Sequence, residues 1–257
     1  MKTKQKKLFY INDNLGNDIN SLVKVELDTF SIKKYIHKPK QLYAMGKMWK
    51  YYGRYLIYGE RVSGSTNLIK NIMKYIYRTS NVKKTCILTS AYRVKDYNDV
   101  VSNNTCTCSI FSEELLIKAL KEEKYDNDNQ LLLVIDSAYY CENKLKCTIS
   151  KHFYDIMHMS YFGVIPIIST DIPYIICPAT RNFFRYDIFI TNCNGFILRK
   201  IYDYFMKDID FKFYTFEEIK SMVNQLDKYE YLYYQNGQKN IDDAIKFYRS
   251  KKFINNN

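Results

Sequence analysis

Gly59-Glu60-Arg61-Val62-Ser63-Gly64-Ser65-Thr66 lies between an apolar run, Arg54-Tyr55-Leu56-Ile57-Tyr58, and a segment with a helical pattern that begins at Asn67. The phosphate-cradling motif G-x-x-x-x-G-K-[ST] joins a strand to a helix, and this stretch matches every defined position except the lysine, which is Ser65. The flanks agree with the motif. Arg54 to Tyr58 reads as a strand, and Leu68, Ile69, Ile72, Met73 and Ile76 recur at i, i+1, i+4, i+5 and i+8, which is one buried face of a helix from about Ser65 to Arg78.

Downstream, apolar runs alternate with helical segments. Lys84 to Ser90 predicts a second buried strand, and Glu113 to Glu123 a helix with Ser112 as its N-cap; Ala91 to Cys108 between them reads as loop. Gln130-Leu-Leu-Leu-Val-Ile-Asp136 is an apolar strand ending in a carboxylate, the arrangement that holds Mg²⁺ opposite a phosphate loop. A second carboxylate, which in hydrolytic sites polarises the attacking water, is replaced by Ser137. Lys151 to Ser160 predicts a helix and Gly163 to Thr170 a strand, with Asp171 at the place of a γ-phosphate-sensing polar residue. Tyr186 to Thr191 predicts another strand. The tail reads as helices over Phe196 to Met206 and Phe216 to Leu226, a Tyr-rich run Tyr229 to Tyr234, and a last helix over Ile241 to Tyr248. Strands and helices in alternation predict an α/β domain with a mostly parallel sheet flanked by helices.

The 257 residues suit one such domain, divided as an N-terminal basic segment with an edge strand over 1–50 and a core with a C-terminal extension over 51–257. Val23 to Phe30 alternates well enough for that edge strand, and Tyr35 to Tyr52 is a basic-aromatic segment carrying Trp49. Such a segment can stack on bases or simply pack against the first core strand. The net charge of +12, from 39 basic and 27 acidic residues, favours an anionic partner, nucleic acid first among them; lysines scattered over solvated faces give the same total. The 7 cysteines show no paired C-x-x-C spacing, which argues against zinc and for a reducing compartment. Neither a signal peptide nor a membrane-length apolar run is expected.

Taken together, Leu56 to Ile69, Leu132 to Asp136, Ile167 to Asp171, Cys177-Pro-Ala-Thr-Arg-Asn182, and Asn194 with Arg199-Lys200-Ile-Tyr-Asp-Tyr204 resemble the DNA-packaging ATPases of poxviruses and other nucleocytoplasmic large DNA viruses, in the FtsK/HerA branch of P-loop NTPases. The resemblance covers roughly residues 50 to 250. It implies a RecA-like core, ATP and Mg²⁺ as cofactors, double-stranded DNA and capsid proteins as partners, a homo- or hetero-oligomeric ring, no membrane, and action at the viral assembly site or in the virion. Carried over by position, Gly59, Glu60, Arg61, Val62, Ser63, Gly64, Ser65 and Thr66 wrap the phosphates, Thr66 and Asp136 serve the metal, Asp171 takes the γ-phosphate sensor position, and Arg181 either reaches a phosphate in its own or a neighbouring subunit or is a buried structural arginine.

Ser65, Ser137 and Asp171 each depart from that pattern where the γ-phosphate or its attacking water would be touched. Phosphoryl transfer depends on positioning and charge neutralisation, and loss of one oriented group costs about 100- to 1,000-fold in rate. Arg61 lies within the loop, Lys70 sits one turn past Thr66 and points along the helix, and an arginine from another subunit is a further source of charge. Four readings stay open: a packaging-type ATPase with impaired hydrolysis, an active motor with a substitute cation, a pseudo-ATPase that binds DNA or joins a ring, and an unrelated α/β domain.

Overall fold

β3 (Tyr55–Tyr58) is the strand from which the phosphate-loop stretch departs, and α1 (Ser65–Thr79) is the helix that receives it. The computed structural model describes residues 53–60, 63–100, 105–121, 124–126, 128–136, 148–171, 184–206, 214–235 and 244–249, together with β1 (Phe9–Tyr10) and β2 (Val23–Lys24). β1 and β2 pair antiparallel as a separate two-stranded ribbon; the rest of the expected edge strand, 25–30, lies outside the described residues. The basic-aromatic segment around Trp49 lies outside the described residues.

After α1 come β4 (Val82–Thr89), a 3₁₀ helix (Ala91–Tyr97), β5 (Cys106–Ile110), α2 (Glu113–Lys121) and β6 (Gln130–Ile135). α3 (Thr148–Met159), β7 (Val164–Thr170) and β8 (Asp187–Ile190) follow. The chain continues through α4 (Gly195–Ile201), with a π-helical turn over Tyr202–Met206, and α5 (Phe216–Asn224), then closes with β9 (Glu230–Gln235) and β10 (Ile245–Arg249).

The main sheet has the order β10-β9-β8-β3-β7-β6-β4-β5. From β8 to β5 every pair is parallel, and β9 and β10 add an antiparallel hairpin beside β8. Both faces are covered, which is why the central strands read as continuous apolar runs. Successive residues of β6 point to opposite sides: Leu131, Leu133 and Ile135 join Leu116 of α2 and Phe153 of α3, while Leu132 and Val134 join Ile69, Ile72 and Met73 of α1.

Two expectations are corrected. Ala91 to Cys108 is not simply loop, since it contains the 3₁₀ helix and the start of β5, which pairs with β4 and forms the far edge of the sheet. The helix expected over Ile241 to Tyr248 is a strand from Ile245 onward, paired with β9 in the register Phe247 to Leu232. Tertiary pairing overrides the local pattern there: the edge of β9 needs a partner, and Ile245 and Phe247 enter one core cluster while Tyr248 enters the other.

Candidate functional site

Gly59 begins the loop at the C-terminal end of β3, between β7 and β8. The connection from β3 reaches β4 on one side, while β8 lies on the other, so the crevice at these strand ends is a topological switch point, where ligands of open α/β sheets bind. The Gly59 N–H donates to the Thr170 carbonyl at 3.4 Å and the Glu60 N–H to the Asn192 carbonyl at 3.2 Å, which pins the loop to both neighbouring strands.

Both motif glycines are required by close approach. A Cβ on Gly59 would lie 2.1 Å from the Thr191 methyl and 2.8 Å from Ser63 Oγ. Gly64 has φ +94° and precedes the first residue of α1; a Cβ there would meet the Tyr229 ring at 2.7 Å and the Tyr231 hydroxyl at 2.9 Å. The buried Ser63 Oγ has no hydrogen-bond partner among the described residues. Ser65, at the position of the motif's lysine, is buried at the start of α1. Arg61 and Val62 lie outside the described residues.

Thr66 and Asp136 meet, although they come from different elements. The Thr66 hydroxyl donates to Asp136 Oδ2 at 2.8 Å, and Asp136 is fully buried just past β6. The strand ends are level because the Asp136 N–H donates to the Leu88 carbonyl of β4 at 3.0 Å. Thr89 Oγ1 also donates to the Asp136 carbonyl at 3.3 Å.

Two residues absent from the sequence reading complete this cluster. Arg93 Nη1 donates to Thr66 Oγ1 at 2.8 Å and lies 3.2 Å and 3.3 Å from the two carboxylate oxygens of Asp136. The Tyr97 hydroxyl donates to Asp136 Oδ2 at 2.9 Å. Both stand on the 3₁₀ helix that starts immediately after β4, so a chain leaving the second strand turns back over the carboxylate. Burial disfavours the charge on Arg93, but the attraction and hydrogen bond of Asp136 outweigh it and raise its pKa. Burial, followed by the Asp136 charge, pushes the Tyr97 phenol well up, so it remains a hydrogen-bond donor. Their signal in the sequence is spacing: Arg93 and Tyr97 follow the end of a parallel strand by one and two helical turns, at the edge of the crevice.

Lys70 is engaged elsewhere. Its ammonium, buried along most of its side chain, pairs with Asp99 at 2.6 Å and lies 5.8 Å from the centre of the Tyr97 ring. Asp171 directly follows Thr170 at the end of β7, opposite the start of the loop. Ser137 and Arg181, with the rest of the Cys177–Asn182 segment, lie outside the described residues.

The cluster can be compared with what a divalent ion requires. Mg²⁺ takes oxygen ligands at about 2.0–2.1 Å in an octahedron and keeps several waters. Here the hydroxyl and the carboxylate hydrogen-bond to each other, and a guanidinium nitrogen occupies the same two groups. With the Arg93 guanidinium donating to both groups and bringing its positive charge against them, Thr66 and Asp136 do not fit Mg²⁺ in this arrangement. Among the described residues no group of three His, Cys, Asp or Glu side chains is placed to hold a metal.

No protein-family model matches the chain, and no curated protein matches it in sequence. In fold it is similar to the genome packaging NTPase B204 from Sulfolobus turreted icosahedral virus 2, solved in complex with sulfate, at 19% identity and a TM-score of 0.50, covering 78% of this chain and 97% of that one. B204, the DNA-packaging ATPase from Sulfolobus turreted icosahedral virus, aligns at 20% identity and a TM-score of 0.52 over 78% and 98%. ATPases 2 and 3 of Thermomonospora curvata EccC, solved with a signal sequence peptide, align at 13% and 0.53 over 98% of this chain and 41% of that one. At such identities the likeness is one of fold: the chain has the α/β fold of P-loop ATPases. Among the described residues, no helix is long and apolar enough to cross a membrane.

Proposed function

We propose that the chain is a nucleotide-binding protein of the viral DNA-packaging type, in the FtsK/HerA branch of P-loop proteins, that has lost most ATP hydrolysis. The observation that carries this reading is the buried pair of Thr66 and Asp136 at the mouth of a loop whose lysine position is Ser65. The hydroxyl and carboxylate that serve a bound nucleotide are kept together, while the cation that follows the γ-phosphate is missing from its place. Binding depends on the loop and the helix N-terminus, and turnover on groups aimed at charge that develops in the transition state. The first survives loss of the lysine better than the second. The DNA-packaging role of the proteins similar in fold and the net charge of +12 support DNA as the macromolecular partner; a ring of like or unlike subunits is proposed from the sequence resemblance alone.

The test separates binding from turnover. The purified chain is expected to take up ATP, measured by calorimetry, and to release no phosphate above background. Robust phosphate release that needs Mg²⁺ overturns the loss of hydrolysis. Double-stranded DNA is expected to bind with an affinity that falls steeply as salt rises; affinity indifferent to salt argues against a basic face that tracks phosphates.

A further inference from the structure

We infer that Arg93 is a built-in substitute for the divalent cation: its guanidinium stands where Thr66 and Asp136 would share a metal, and it lets the site take a phosphate-bearing ligand without Mg²⁺. The inference rests on the nucleotide-binding reading for its ligand, but its geometry does not. Nη1 satisfies the two groups that would serve the ion, at 2.8 Å from Thr66 Oγ1 and 3.2 Å from Asp136 Oδ2. A guanidinium carries five N–H donors in a planar fork. The Nε and Nη2 groups of Arg93 have no hydrogen-bond partner among the described residues, so they remain available to phosphate oxygens beside the loop. The side chain is only 14% exposed and its carboxylate partner 0%, so the pair is held in the crevice and is not a solvated surface contact.

Charge accounts for the arrangement. The carboxylate of Asp136 is buried between β4 and β6 and needs a positive neighbour, which in a metal-dependent site arrives with the nucleotide. Here the neighbour is covalently part of the chain. Arg93 also supplies the positive charge that Ser65 does not, from the 3₁₀ helix that follows β4 and not from the loop. Because a guanidinium is a spread single charge and not a compact double one, the site keeps affinity for phosphate oxygens and loses the ability to polarise them as a Lewis acid.

The experiment has two arms on the full chain. Thermal unfolding without nucleotide, in EDTA and in millimolar MgCl₂, should give one midpoint for the native protein. Arg93→Gln leaves a buried carboxylate uncompensated and should lower the midpoint by about 6–12 °C in EDTA, with Mg²⁺ restoring part of the loss. A native midpoint that rises with Mg²⁺ as much as the variant's, or a variant that ignores Mg²⁺, overturns the assignment. Where Arg93→Gln does not fold, Arg93→Lys keeps the charge and should be insensitive to Mg²⁺; a Mg²⁺-dependent rise in its midpoint overturns the assignment equally. In the second arm, calorimetry should find ATP bound by the native chain with equal affinity in EDTA and in Mg²⁺, and by Arg93→Gln at least tenfold more weakly in EDTA, recovering with Mg²⁺. Binding by the native chain that requires Mg²⁺ overturns the inference. Absence of ATP binding in both buffers overturns the nucleotide reading, and the thermal arm then decides on Arg93 alone.

Discussion

Tyr231 donates its hydroxyl to the carbonyl of Gly64 at 2.9 Å, across 167 residues of sequence. The same carbonyl accepts the Leu68 N–H, the first bond of α1, at 3.0 Å. Tyr231 is fully buried on β9, two residues after Tyr229, whose ring packs against Gly64 and whose own φ of +70° is unusual for an aromatic residue. The antiparallel hairpin at the sheet edge is thus one wall of the loop, and the strained Tyr229 backbone is the cost of bringing its ring there.

Removing that hydroxyl should loosen the loop with little effect on the core. In Tyr231→Phe the Gly64 carbonyl keeps its helical bond, so the loss should lie near the low end of the range for one hydrogen bond, about 0.5–1 kcal/mol in urea unfolding. Amide exchange should quicken at Gly64 to Leu68 and stay unchanged in β6. A uniform increase across the sheet would show that the contact supports the whole fold and not the loop.

The two motif glycines should fail for different reasons. Gly64→Ala adds a side chain at φ +94° and against the Tyr229 ring; the backbone part should cost about 1–3 kcal/mol and persist when that ring is trimmed. Gly59 has no such backbone constraint; its Cβ would collide chiefly with the Thr191 methyl. Adding Thr191→Ser to Gly59→Ala should therefore recover part of the lost stability. The double-mutant cycle reads this directly, and additivity of the two changes would refute the steric account.

Asp187 holds the hairpin to the parallel sheet. Its carboxylate on β8 accepts the Tyr233 hydroxyl at 2.5 Å and the Gln235 side-chain amide at 2.7 Å, all within buried surroundings. Tyr233→Phe removes a donor from a buried carboxylate and should cost about 1.5–3 kcal/mol, the range for a hydrogen bond to a charged group. Chemical denaturation of the variant, compared with Tyr231→Phe, should show the larger loss at Tyr233.

Stability should fall on the alkaline side. Burial pushes the thiols of Cys106 and Cys108 up from 9.0 to about 11, and that of Cys193 to about 12; it also lifts the Tyr77 phenol from 10.0 to about 12. Each folded value exceeds the unfolded one, so the folded state holds these protons more tightly. Their contribution is complete below about pH 9 and is lost as pH climbs through about 11 to 12. The urea midpoint should drop between about pH 8 and about pH 10.5. Peptide mapping after alkylation near pH 8 should find Cys106 and Cys193 protected until denaturant is added, and rapid labelling of either in the native protein would contradict the burial.

Much of the fold was legible because its signals are local. The 3.6-residue pattern of Leu68, Ile69, Ile72, Met73 and Ile76 marks α1, and the apolar run ending at Asp136 marks β6. A fully buried strand and a one-faced helix leave their burial in the sequence itself. Polar positions carry no such record. The segment Ala91 to Cys108 has no run of apolar residues to announce it, so its 3₁₀ helix and the short strand β5 read as loop, and with them went Arg93 and Tyr97. The final strand was missed for a related reason: Ile245 to Arg249 becomes β10 only because β9 presents an edge for it to pair with.

By itself the sequence determined the strand, loop and helix around Gly59 to Thr66, the absence of a lysine at Ser65, and a carboxylate at the end of β6. Local periodicity and motif spacing suffice for these. Only the tertiary structure decided which cation faces that carboxylate. The register of β4 against β6 sets Leu88 opposite Ile135, so that its carbonyl accepts the Asp136 N–H, and the turn after Thr89 then carries Arg93 to within 2.8 Å of Thr66. No spacing rule links residues 66, 93 and 136, because their meeting is set by strands that pair side by side and not by neighbours along the chain.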